Sequence, residues 1–281
     1  MLSQWSDSFQ KERLFRRYAA LPPEHGAWVL LFSPMLAGLW LGGSFHAGSL
    51  LLVLAALAAF LVKQPVTMMV KVASGRRPRS DLAPALFWAV VYSLFGLASV
   101  LGLLWRGYGF VLWLAVPAVP VLGWHLWLVS RRAERRQAVV EITGSSMLAL
   151  AAPAAFWTGT GQYDPFGWLL WGLMVLQTAG SILYAYLRLE QRPMKEVPAL
   201  TERLKMGRTA LSVTSINVLV VGGLAAQGVL PVLLPLAYAV QWLEAIWGTL
   251  RPAVGFKPVS IGMRQLAVTS LFTIVFILAW I

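Results

Sequence analysis

The 281-residue chain has no cysteine, three histidines and only 11 acidic residues. Without a thiol it can form no disulfide, thiolate nucleophile, or cysteine-ligated zinc or iron–sulfur centre. Its aspartates are Asp7, Asp81 and Asp164, too few and too scattered for the carboxylate clusters that hold Mg²⁺. No metal site is expected. His25, His46 and His125 are equally dispersed; His46 falls on the opposite side of the membrane from the other two, so only His25 with His125 could ligate a haem from both faces. No cofactor is expected. Nucleophile-elbow, Walker A, metalloprotease and dinucleotide-binding motifs are also missing from any suitable context.

What the chain has is apolar length. Hydrophobic residues make up 58% and charged residues 12%, and the mean hydropathy is +0.69, far from soluble usage. A membrane-crossing helix needs roughly 17–25 apolar residues. Nine runs qualify: 27–44, 48–72, 82–105, 109–129, 138–158, 166–187, 209–227, 229–250 and 263–281. The expected fold is an all-α polytopic bundle forming one transmembrane domain over 1–281. Residues 1–20 are expected on the cytoplasmic side as an interfacial helix, since Leu2, Trp5 and Phe9 share a helical face.

Of the 23 basic residues, all but Lys63 and Arg106 fall on one side of such a nine-span threading. Basic loops stay cytoplasmic, so the N-terminus is expected inside and the C-terminus outside, in the bacterial cytoplasmic membrane. The net charge of +12 is thereby a topological signal reinforced by contact with anionic lipid. Nucleic acid is not an expected partner; membrane lipids are. Most of the 14 tryptophans fall near span ends, as an aromatic belt requires. Gly144, Ser145, Ser146 and Ala149 suggest close helix packing on the fifth span. Pro34, Pro65, Pro117, Pro120 and Pro153 are expected to kink spans around an interior.

Ionisable groups within a bilayer are expensive and mark function by default. Here they are Lys63, His125, Glu141 and Glu244, with Glu24 and His25 entering the first span and Arg188 leaving the sixth. Their shared sidedness predicts a polar chamber in the cytoplasmic half. Glu141, or Glu24 with His25, would be its acid–base groups were it catalytic, because burial raises a carboxyl pKa toward neutrality.

The stretch Pro23-Glu24-His25-Gly26-Ala27-Trp28, followed by Pro34 and Gly38, resembles the opening of the bacterial YwiC-like membrane family. Lys63-Gln64-Pro65 and the Arg-rich stretch with Glu134 and Glu141 extend the likeness. The span layout is more distantly similar to UbiA-type prenyltransferases, which hold a prenyl diphosphate through Mg²⁺ on two aspartate-rich motifs. Laying those motifs on this chain places Gln64, Thr67 and Lys71 at the first set of aspartates, Arg188 and Arg192 at the second, and Arg77-Pro78 downstream of the first. The resemblance therefore implies a UbiA-like bundle whose metal carboxylates are replaced. Cations there suit direct contact with an anionic headgroup.

The expected function is binding of an amphiphile with an anionic or polar head, such as an isoprenoid, quinone-pathway molecule or lipid phosphate, in a cytoplasm-facing cavity without Mg²⁺. The candidate ligand-binding residues are Lys63, Gln64, Lys71, Arg77, His125, Arg188, Arg192 and Glu244. Alternatives are an anion transporter using Lys63 and Arg188, or a non-catalytic subunit or assembly factor of a membrane complex. Catalysis, protein partners and oligomeric state stay unassigned.

Overall fold

The computed structural model describes residues 17–22, 26–133 and 137–281. Glu24, His25, Glu134 and residues 1–16 of the expected interfacial helix lie outside the described residues. No strand occurs among those described. Ten helices follow a short helical turn at Arg17–Ala20: α1 Ala27–Leu41, α2 Ala47–Ala73, α3 Leu82–Trp105, α4 Ala115–Arg131, α5 Ala138–Leu148, α6 Ala151–Thr160, α7 Phe166–Gln191, α8 Leu200–Ala226, α9 Leu234–Leu250 and α10 Pro258–Leu278.

The protein is an all-α polytopic membrane protein. Among the described residues seven helical segments are long and apolar enough to cross a membrane: α2, α3, α4 with its preceding 3-10 turn, the α5–α6 pair, α7, α8 and α10. The other two expected spans are shorter. Helix α1 has 15 residues and α9 has 17, about 23 and 26 Å at 1.5 Å per residue against a core of about 30 Å. The chain leaves α1 at Gly42 and turns at Gly43, whose φ of 72° suits glycine. Before α9 it turns through Gly228, with φ 73°, and through Pro231. Helix α8 starts at Leu200, earlier than hydropathy suggests. Glu202 in its first turn favours the helix start, and charged residues extend the helix beyond its apolar stretch.

The prolines act unequally. Pro34, Pro65 and Pro120 sit inside continuing helices, whereas Pro153 helps to divide α5 from α6. Lacking an N–H, it cannot donate to the carbonyl of Ala149, which accepts instead from Ala152 at 3.0 Å.

The chain divides into two compact units, one of 1–25 and 45–136, the other of 26–44 and 137–281. In the first, α2 and α3 form the main packed pair and α4 joins α2. The N-terminal turn docks on this pair: Ala19 is buried with Met68 and Ala85, and Tyr92 donates to the carbonyl of Ala20 at 2.9 Å. In the second unit α7 is central, packing on α1, α5, α6, α8, α9 and α10.

Close packing in the second unit runs through α1 and α6. A Cβ at Gly38 would land on the carbonyl oxygen of Ala152 and 2.9 Å from the Ala155 methyl. One at Gly42 would lie 2.9 Å from the Cα of Gly159. Backbones approach this way in lipid because dispersion drives the association. Gly144, expected to share in such a contact, has nothing within 4 Å of its would-be Cβ. Trp157 departs from the aromatic belt: it is fully buried and donates to the carbonyl of Asp164 at 2.6 Å.

Candidate functional site

Helix α7 carries Gln177, Ser181, Tyr184, Arg188 and Gln191 at spacings of four, three, four and three. That rhythm keeps them on one face, and all five are buried. A soluble helix would turn such a stripe outward. Here neighbouring helices supply matching groups to Ser181, Tyr184, Arg188 and Gln191, so these polar residues line the interior.

Helix α9 runs parallel to α7. Near its start Tyr238 donates to the carbonyl of Leu173 at 2.7 Å, and near its end Gly248 meets Arg188. Helix α10 runs antiparallel to both: Arg264 meets Glu244 and Gln265 meets Ser181, while Phe272 packs edge-on against Tyr238 at 5.3 Å between centroids. The result is a buried polar column in the C-terminal half of α7, closed by aromatic rings toward the helix's N-terminal half.

At its base, Arg188 is 1% exposed. One of its terminal nitrogens donates to Gln191 Oε1 at 3.1 Å and to the carbonyls of Gly248 and Arg251 at 2.9 and 2.6 Å. Those carbonyls end α9, so Arg188 caps that helix and meets the negative end of its dipole. The rings of Trp247, Phe256 and Tyr184 surround the guanidinium at 5.2, 5.6 and 5.9 Å, replacing hydration by cation–π contact. Gln191 completes the base, donating to Gly248 and accepting the N–H of Ala253, each at 3.1 Å.

One level up, Glu244 is 8% exposed. Arg264 grips it through Nε at 2.5 Å and a terminal nitrogen at 2.8 Å, the bidentate geometry that suits guanidinium and carboxylate. The Tyr184 hydroxyl donates to the same carboxylate. Arg264 also stacks on Trp247, 3.5 Å from the ring centre. Gly248 is required beneath Tyr184: a Cβ there would strike the phenol ring.

The next level is amide-rich. Gln265 donates to the carbonyl and hydroxyl oxygens of Ser181 at 3.0 and 2.6 Å, leaving its own buried Oε1 without a partner. Gln177 and Gln241 are 4% and 2% exposed, and neither amide oxygen nor amide nitrogen of either residue has a hydrogen-bond partner. Gln241 packs where Gly180 lacks a side chain, its Cγ 3.7 Å from a would-be Cβ. Asn217, donating to the carbonyl of Leu176 at 2.7 Å, closes that corner from α8.

Of the expected residues, Arg188 and Glu244 come together around Tyr184 in the second unit. Arg192 is exposed at the end of α7, its carbonyl accepting the Gly255 N–H at 3.1 Å. Glu141, in the first turn of α5, is exposed and within electrostatic reach of the Tyr186 hydroxyl. The remaining ones belong to the first unit. Lys63 is exposed, Lys71 half-buried in the last turn of α2, and His125 half-buried on α4. Gln64 and Arg77 hold the N-terminal turn. Gln64 donates to the carbonyl of Tyr18 at 3.0 Å, while Arg77 and the Tyr18 hydroxyl converge on buried Asp81 at 3.0 and 2.9 Å. Among the described residues no three acidic or histidine side chains group as metal ligands. Gln177, Tyr184, Gln191, Gln241, Arg264 and Gln265 escaped the sequence reading, though the four-and-three rhythm along α7 signals the stripe.

Residues 21–156 match the family model described as YwiC-like protein. It is similar to the uncharacterised protein YwiC of Bacillus subtilis (strain 168), with 26% identity over 168 residues. That match covers 59% of this chain and 65% of the relative, so the chain spans just under two thirds of the curated relative's length. No solved structure matches. The polar column, between Gln177 and Gln265, lies outside the part that the family model matches.

Proposed function

We propose that this YwiC-like membrane protein binds the polar head of a membrane-soluble amphiphile in the buried column of α7, α9 and α10, without Mg²⁺. One observation carries the reading: five amide atoms of Gln177, Gln241 and Gln265 on three packed helices are buried without partners. Each unmet group costs about 1–3 kcal/mol. A fold that retains several, within one polar stripe, is poised for hydrogen bonds from outside the chain. The tail of an amphiphile suits the apolar helix surfaces around them. Isoprenoid, quinone-like and lipid ligands share this division into head and tail, and a UbiA-like arrangement would accommodate any of them.

The orientation that fits the basic residues has the N-terminus in the cytoplasm and the C-terminus outside, in the bacterial cytoplasmic membrane. The base of the column, where Arg188 and Arg251 meet, then faces the cytoplasm. A transport reading built on Lys63 with Arg188 has less support, because Arg188 is engaged with the end of α9.

The test is mass spectrometry of the full chain released from mild detergent. Retention of one dominant amphiphile, undiminished by a metal chelator and lost in Gln177→Leu/Gln241→Leu, is expected. A folded wild-type protein that carries nothing above bulk lipid would overturn the proposal.

A further inference from the structure

Resting on that reading, we infer that the head held between Gln177 and Gln241 is neutral and carries both a hydrogen-bond acceptor and a donor, as a carbonyl beside a hydroxyl would. The carboxylate of the column is already matched, and Arg188, whose buried Nε has no partner, lies at the base below the amides. Glu244 is neutralised by the fork of Arg264 and capped by Tyr184. Arg188 is directed at the last carbonyls of α9 and sheathed by three rings. Neither cation is left to greet a phosphate or carboxylate at the amide level.

The amides themselves define the complement. A glutamine offers two N–H donors and one carbonyl acceptor, so two glutamines with every polar atom unmet ask for acceptors and donors together. A cation would use only the oxygens, and an anion only the nitrogens. Asn217 gives its nitrogen to the Leu176 carbonyl, and Gln265 adds one further acceptor, its Oε1.

Depth points the same way. Gln177 is the twelfth residue of the 26-residue α7, close to its midpoint, where an ionised group is most costly to insert, roughly 2.5–3.5 kcal/mol on the translocon scale. The Tyr238 and Phe272 rings pack edge-on just beyond, 5.3 Å between centroids, and Gly180 removes a side chain beside Gln241. A neutral ring or ester head would bind at this level without shedding an ionic hydration shell.

The experiment compares probes of one chain length on the full-length protein in detergent: monododecanoylglycerol, neutral with carbonyl and hydroxyls; dodecyl phosphate, anionic; and dodecyltrimethylammonium, cationic. Monododecanoylglycerol is expected to raise the apparent Tm saturably. The two ionic probes should not, and Gln177→Leu and Gln241→Leu should each weaken the neutral response at least tenfold in apparent Kd. Gln241→Met, closer in shape, serves if a leucine variant fails to fold. Saturable stabilisation by dodecyl phosphate that disappears in Arg188→Gln would overturn the neutral head yet leave amphiphile binding intact. If no probe shifts the wild type and nothing copurifies, water alone meets the amides, and both readings fall.

Discussion

Removing Arg264 should harm the protein more than removing its partner Glu244, although both changes break the same ion pair. The asymmetry comes from burial. The Arg264 side chain is 40% exposed and that of Glu244 only 9%. In Glu244→Ala the stranded guanidinium turns toward solvent and loses about 0–1 kcal/mol. The Tyr184 hydroxyl, on a residue 1% exposed, loses its acceptor at about 1–3 kcal/mol. In Arg264→Ala the carboxylate stays inside with a single hydroxyl donor, a loss of about 3–5 kcal/mol for an uncompensated buried charge. Stacking on Trp247 goes with it. Tyr184→Phe leaves the fork intact and should be mildest. In the double variant the stranded charge no longer exists, so its loss should fall below the sum of the singles, with a coupling of about 0.5–3 kcal/mol. Reversible unfolding by dodecyl sulfate in mixed micelles measures all four. If Arg264→Ala proves no worse than Glu244→Ala and the two effects simply add, Glu244 is not a buried, arginine-compensated carboxylate.

Gln177→Leu should stabilise the ligand-free protein, since replacing an unpaired buried amide by an apolar group of similar shape is neutral or favourable; a lower apparent Tm would show that the amide is paired. Gly38→Leu should destabilise the second unit by about 1–3 kcal/mol, because the side chain would enter the Ala152 backbone; an unchanged unfolding midpoint would refute that contact. Single cysteines at Ser80, Ser130 and Leu200 should label only from the cytoplasmic face in sealed cells, and labelling of any one from outside would overturn the proposed orientation. No Mg²⁺-dependent turnover of prenyl diphosphate is expected in detergent, because Asp7, Asp81 and Asp164 are scattered along the chain and no three acidic or histidine side chains group as metal ligands among the described residues; clear metal-dependent turnover would refute this.

The sequence by itself determined the membrane class, the helical architecture and the approximate place of every transmembrane-scale helix, because the hydrocarbon core imposes a length and a polarity that a single chain displays directly. It also singled out Arg188 and Glu244, since charge within an apolar run stands out wherever it packs. It overstated the lengths of α1 and α9, where hydropathy continues through the Gly42–Gly43 turn that ends α1 and the turn at Gly228 that precedes α9. Glutamines and tyrosines are tolerated in apolar runs, so their roles waited for neighbours. Only the tertiary structure decided that Arg188 caps α9, that Arg264 rather than Arg188 grips Glu244, and that Gln64 and Arg77 hold the N-terminal turn. It also placed the unpaired amides of Gln177 and Gln241 on parallel helices. Arg188 with Gly248, Arg264 with Glu244, and Gln64 with Tyr18 join groups 60, 20 and 46 residues apart in sequence, and the unpaired amides have no group within reach. Such partnerships follow from how α7, α8, α9 and α10 pack, which hydropathy along one chain does not encode.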